Sequence, residues 1–121
     1  MNRRRLGSRL LLALAVVALV SASLVPGGPG GDHALGPFGL VGADKWSHAM
    51  GYAGITLLAL RSFEARREAV LVVALLVLDL GIALEIGQSF VPGRMTEFGD
   101  LLADAVGVVV GVGLDRLWTR R

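Results

Sequence analysis

Residues 69–90 read AVLVVALLVLDLGIALEIGQSF, and this stretch decides the fold. Ahead of Glu85 it holds a single charged residue, Asp79, and its apolar content is far too high for the surface of a soluble protein. A helix crosses the hydrocarbon of a bilayer with roughly 20 predominantly apolar residues, and this stretch has that length. Its end changes character abruptly. EIGQSFVPGR, residues 85–94, brings a carboxylate, an amide and a guanidinium to the point where the most apolar segment stops.

Working outward, further apolar segments run from about residue 10 to 25, 46 to 60 and 101 to 117. In lipid the backbone must satisfy its own hydrogen bonds, so segments of this kind become helices whose neighbours hide the few polar groups. The composition agrees: 54% of residues are hydrophobic, 6% are aromatic and the mean hydropathy is +0.65. The expectation is an all-α integral membrane bundle of four transmembrane helices, forming a single domain over residues 1–121. With no cysteine, disulfides and thiolate metal sites are excluded. The high isoelectric point reflects where the arginines fall. No basic surface interleaved with aromatic residues occurs, so nucleic acid is not an expected partner.

The basic residues orient the bundle. Arg3, Arg4, Arg5 and Arg9 precede the first segment, Arg61, Arg66 and Arg67 separate the second from the third, and Arg116, Arg120 and Arg121 close the chain. Only Lys45 and Arg94 fall elsewhere. The positive-inside rule then makes both termini cytoplasmic and turns outward the links PGGPGGDHALGPFGLVGAD (26–44) and SFVPGRMTEFGD (89–100). Glycine and proline make the first of these irregular and mobile. A second reading of the N-terminus stands beside this one. MNRRRLGSRL, an apolar run and the small residues SAS also have the form of a secretory signal peptide, cleaved near Ala22 or Ser23, which would leave three helices in the same orientation.

Depth along each helix can be counted at about 1.5 Å per residue, and the count brings polar residues of three helices to one layer near the outer interface. Lys45, His48 and Tyr52 share a helical face, as do Glu85 and Gln88, and as do Asp100, Asp104, Gly107 and Gly111. One reading treats these residues as helix-end markers, with Lys45 snorkelling, Asp100 complementing its helix dipole and Arg94 in a solvated loop. The other notes that ionisable groups at membrane depth are costly, face the bundle interior and are functional, which makes the layer a binding site. In that reading the PG turn aims Arg94 back over the layer, within hydrogen-bond reach of Glu85, Asp100 or Asp104. Asp79, at mid-helix, is expected to be satisfied by Ser21 or Tyr52. Gly107 and Gly111, with Ala103 a turn earlier, form a small-residue stripe for close helix packing.

In order, DKWSHAMGY (44–52), EIGQSFVPGR (85–94) and GDLLADAVGVVVG (99–111) resemble the VanZ-like family of small multi-pass bacterial membrane proteins. The likeness covers Asp44 to Gly111. It implies a helical domain in the bacterial cytoplasmic membrane and, through the founding member, a link to teicoplanin resistance. The family's shared polar positions fall on Asp44, Lys45, His48, Glu85, Gln88, Arg94 and Asp100. Asp104 departs from the pattern, which usually has asparagine there, and adds a charge to the layer. The link from Met95 to Gly99 departs as well.

Signatures of known chemistry are absent from the sequence: no Gly-x-Ser-x-Gly elbow, no phosphate-cradling glycine loop and no His-Glu-x-x-His helix. A metal held by His33 and His48 would require the first link to fold back, so neither a metal nor any other cofactor is expected. The favoured function is a non-catalytic envelope protein. Its outward polar pocket, lined by Asp44, Lys45, His48, Glu85, Gln88, Arg94, Asp100 and Asp104, would bind a lipid headgroup, a peptidoglycan precursor or another membrane protein and so lower sensitivity to glycopeptide antibiotics. The alternatives are a membrane enzyme acting on a lipid-linked envelope substrate, with His48 and Glu85 as acid–base candidates, or a structural or assembly subunit.

Overall fold

The computed structural model describes residues 3–25, 39, 42–63, 67–94 and 96–120. The described residues are all-helical: α1 (Arg3–Leu24), α2 (Ala43–Ser62), α3 (Val70–Gln88), entered through a 3-10 turn over Arg67–Ala69, and α4 (Phe98–Thr119). Most of the first link, including His33, and Arg66, Met95 and Arg121 lie outside the described residues. Three of the helices overrun the apolar segments that announced them. Arginine and other straight-chain polar residues are good helix formers, so α1 takes in its arginines, and α2 and α4 begin with Asp44 and Asp100 in their first turns, where a carboxylate complements the helix dipole.

α1 and the segment Arg67–Gln88 are long and apolar enough to cross a membrane. Little of either is buried, which sets them apart from the core helix of a soluble protein. The large apolar side chains of α3 that face outward include Leu71, Val72, Leu75, Leu76, Ile82 and Ile86. A soluble monomer rarely leaves so continuous an apolar surface uncovered. Such a surface is suited to contact with lipid.

α2 is the spine. Its residues Tyr52 and Ile55 meet Val77 of α3 and Val108 of α4, and Leu12, Ala15, Val16 and Leu19 of α1 pack against that cluster. α2 and α4 lie closest, with their N-termini at the same end, because the small-residue stripe lets their backbones touch. A Cβ added to Gly107 would overlap the carbonyl oxygen of Ala49, and one added to Gly111 would lie 2.7 Å from that of Ala53. At the opposite end Arg61 lies 3.9 Å from Asp115 and stacks over the Trp118 ring at 4.2 Å, while Arg9 donates to the Ser62 carbonyl oxygen at 3.3 Å.

Asp79 corrects an expectation. It is exposed on α3, with no hydrogen bond to Ser21 or Tyr52. The buried face of α3 is Val77, Gly81, Leu84 and Gln88, and at 3.6 residues per turn a residue two places from both Val77 and Gly81 points to the other side. Residue count fixes the distance along a helix but leaves the rotation about it open. Ser21 is exposed for the same reason, and Ser23 is the buried serine of α1.

Candidate functional site

The polar layer forms where α2 and α4 begin and α3 ends. Lys45, in the first turn of α2, places its Nζ against three carboxylates: Asp44 at 2.7 Å, Glu97 at 2.7 Å and Asp100 at 2.5 Å. Gly99 makes room for this, since a side chain there would press on the lysine stem, its Cβ 3.0 Å from Lys45 Cε. Asp44 and Glu97 are largely open to solvent, whereas Asp100 is 7% exposed. One ammonium is therefore shared by a buried carboxylate and two wet ones.

One turn deeper, His48 Nδ1 and Asp104 Oδ1 are 2.7 Å apart. Asp104 has no solvent exposure, and its second oxygen, Oδ2, is buried with no hydrogen-bond partner. It fits because Gly81 of α3 faces it: a Cβ there would lie 2.9 Å from Oδ2 and 3.3 Å from the Tyr52 hydroxyl. Tyr52, 1% exposed, runs parallel to His48 with ring centroids 6.4 Å apart and closes the layer from below. Burial of a carboxylate against a histidine fixes the ring's orientation, because the imidazole has one bond direction left once Nδ1 is committed.

Glu85 reaches the same place from α3. It is half-buried and has no hydrogen-bond or ion-pair partner among the described residues. Donor atoms of His48, Glu85 and Asp100 all lie within 4.8 Å of one another, so side chains from three helices converge on one point. Gln88, a turn beyond Glu85, is 3% exposed. A groove of about 230 Å³, lined by Lys45, Trp46, Ala49, Ala103 and Val106, runs alongside the layer and is almost wholly apolar.

Of the residues singled out from sequence, Asp44, Lys45, His48, Glu85, Asp100 and Asp104 come together, and Gln88 is buried on α3 a turn beyond Glu85. Arg94 does not join them as expected. Its Nη2 donates to the Ala22 carbonyl oxygen at 2.5 Å and its Nε to that of Val25 at 3.1 Å, at the C-terminal end of α1. Lys45 is the cation that gathers the acids. Two participants were missed. Glu97 precedes Asp100 by three residues and could have been found by extending the α4 face backward. Gly81 carries no polar atom, and only the identity of what packs against it reveals its part.

A family model described as VanZ/LLP1 matches residues 30–119. The chain belongs to the VanZ/LLP1 family. The match takes in the whole of α2, α3 and α4, and with them every residue of the polar layer. No curated protein and no solved structure matches.

Proposed function

We propose that this VanZ/LLP1 protein is a multi-pass protein of the bacterial cytoplasmic membrane, with four spans and both termini cytoplasmic. Its polar layer then faces outward and binds the headgroup of a lipid-linked envelope component, a peptidoglycan precursor being the leading candidate. The observation that carries this reading is the polarity of the bundle. The acids, Lys45 and His48 gather at one end, and Arg9, Arg61, Arg67, Arg116 and Arg120 lie toward the other, as the positive-inside rule requires. The apolar groove beside Lys45 has the character needed for the chain of a lipid whose headgroup sits in the layer. Sequestering such a precursor would change what glycopeptide antibiotics meet at the surface, consistent with the family's link to teicoplanin.

The test is purification in detergent followed by mass spectrometry of the co-purifying lipids. A precursor or phospholipid retained by the wild type and lost from Glu85→Gln is the expected result, together with a rise in the teicoplanin concentration tolerated by expressing cells. Absence of any enriched lipid, or a reporter fused after Arg121 that is active only outside the membrane, would overturn it.

The His48–Asp104 pair favours a second reading, in which the same site performs acid–base chemistry on a lipid-linked substrate. A buried carboxylate that holds an imidazole in one orientation is what a general base needs. Turnover of a bound precursor by the wild type, abolished in His48→Gln while binding survives, would establish the enzyme.

A further inference from the structure

Two triads of potential metal donors lie side by side in the layer, Asp44–Glu97–Asp100 and His48–Glu85–Asp100. The first already surrounds a cation, because the Lys45 ammonium bonds all of its carboxylates. The second shares Asp100, and with it Lys45, but no lysine or arginine reaches its Glu85 among the described residues. Glu85 is without a direct partner, and Asp104, which backs His48, keeps a fully buried oxygen unpaired. Buried negative charge without compensation is strongly unfavourable in a low dielectric, so this half of the layer is built for a positive ligand.

We infer that His48, Glu85 and Asp100 bind a divalent transition-metal ion, with Asp104 positioning His48 for it. Nitrogen and oxygen ligands sit about 2.0–2.2 Å from such an ion, so donors in a tetrahedral shell are roughly 3.4 Å apart. Donors already within 4.8 Å of one another reach that spacing by side-chain movement of about 1 Å, without any shift of the helices. The His48–Asp104 contact is the arrangement that metal-bound histidines share: one ring nitrogen engages a carboxylate and the other is left for the metal. One imidazole and two carboxylates suit Zn2+ or Mn2+ better than Ca2+ or Mg2+, which prefer all-oxygen shells. Three protein ligands leave a coordination position open. In the headgroup-binding reading, on which this one consequence rests, a phosphate oxygen fills that position, and the ion explains how a layer rich in carboxylates can hold an anion. The site departs from the sequence expectation of no metal, in which the only partner considered for His48 is His33.

Metal uptake can be measured directly on full-length protein purified without a histidine tag, stripped with EDTA in detergent and titrated with Mn2+ (electron paramagnetic resonance) and Zn2+ (calorimetry). Expected are one ion per chain, affinity reduced about tenfold or more in Glu85→Gln and His48→Gln, and a roughly 10- to 100-fold loss in Asp104→Asn, the range for residues that orient a ligand. Asp79→Asn, on the exposed face of α3 away from the layer, should bind like the wild type. Glu85→Gln is isosteric and breaks no hydrogen bond or ion pair among the described residues, so it reports on the ion and not on folding. Failure of the folded wild type to bind either ion in one-to-one ratio, or unchanged affinity in Glu85→Gln, overturns the site. Lipid retained by protein that takes up no metal would overturn the metal site and leave the headgroup reading standing; metal bound without lipid would do the reverse.

Discussion

Replacing Lys45 by methionine keeps most of the aliphatic stem and removes the ammonium that three carboxylates share. The contacts are nearly equal in length and unequal in worth. Asp44 and Glu97 have side-chain exposures of 44% and 55%, and ion pairs that wet contribute only about 0–1 kcal/mol each. The Asp100 side chain is 10% exposed, and removing the partner of a buried ion costs roughly 3–5 kcal/mol because the remaining charge is stranded. Lys45→Met should therefore destabilise the bundle by about 3 kcal/mol or more, on the order of a hundredfold in the folding equilibrium, with most of it traceable to Asp100. The double variant Lys45→Met/Asp100→Asn should recover much of the loss, since it removes the stranded charge, while Glu97→Gln alone should cost less than about 1 kcal/mol. Unfolding by SDS in mixed micelles, with EDTA present so that no metal contributes through Asp100, gives the required free energies. A Glu97→Gln variant as damaging as Lys45→Met, or a double variant no better than the single, would refute the assignment of the energy to the buried pair.

Further outcomes follow from the packing. Gly107→Ala should destabilise the α2–α4 contact by about 1–3 kcal/mol, because its Cβ would overlap the Ala49 carbonyl oxygen, whereas Gly113→Ala, with nothing within 4 Å, should be neutral or stabilising by up to ~1 kcal/mol; equal melting temperatures would refute the close approach. Arg94→Ala should loosen the end of α1 by roughly 1.5–3 kcal/mol, read as faster proteolysis there, and Arg94→Lys should restore it only in part, since one ammonium does not reproduce donation from both Nε and Nη2. Asp79→Leu should leave detergent stability within about 0.5 kcal/mol of the wild type and should raise the membrane-inserted yield, since a mid-helix aspartate carries an insertion penalty of ~2.5–3.5 kcal/mol; a large loss of stability would place Asp79 in an internal contact after all.

How far the sequence could be read depended on which coordinate of a helix a statement needed. Depth is linear in residue number, so counting along the helices placed Lys45, His48, Glu85, Asp100 and Asp104 at one level, and the structure brings them together there. Facing is periodic and accumulates error. Within a helix the small-residue stripe Gly107–Gly111 gave the α4 face correctly, yet the nearly uniform apolar character of α3 offers no moment from which to tell that Asp79 points outward. Helix ends were underestimated because hydropathy marks where lipid is and hydrogen bonding marks where the helix is. Contacts made through links were the least legible, since neither depth nor period applies to a turn.

Arg94 shows what the missing information was. α1 ends at Leu24 with no basic residue in its last turn, so the orphan carbonyls and the negative end of its dipole have no partner from their own helix. A guanidinium delivered from the α3–α4 link satisfies the carbonyls of Ala22 and Val25, a role that the Pro92–Gly93 turn serves as well as it would serve the acids, with Gly93 at φ +78 supplying the left-handed turn. Asp44, Glu97 and Asp100 did not need Arg94, because the Lys45 ammonium at the start of α2 reaches all three.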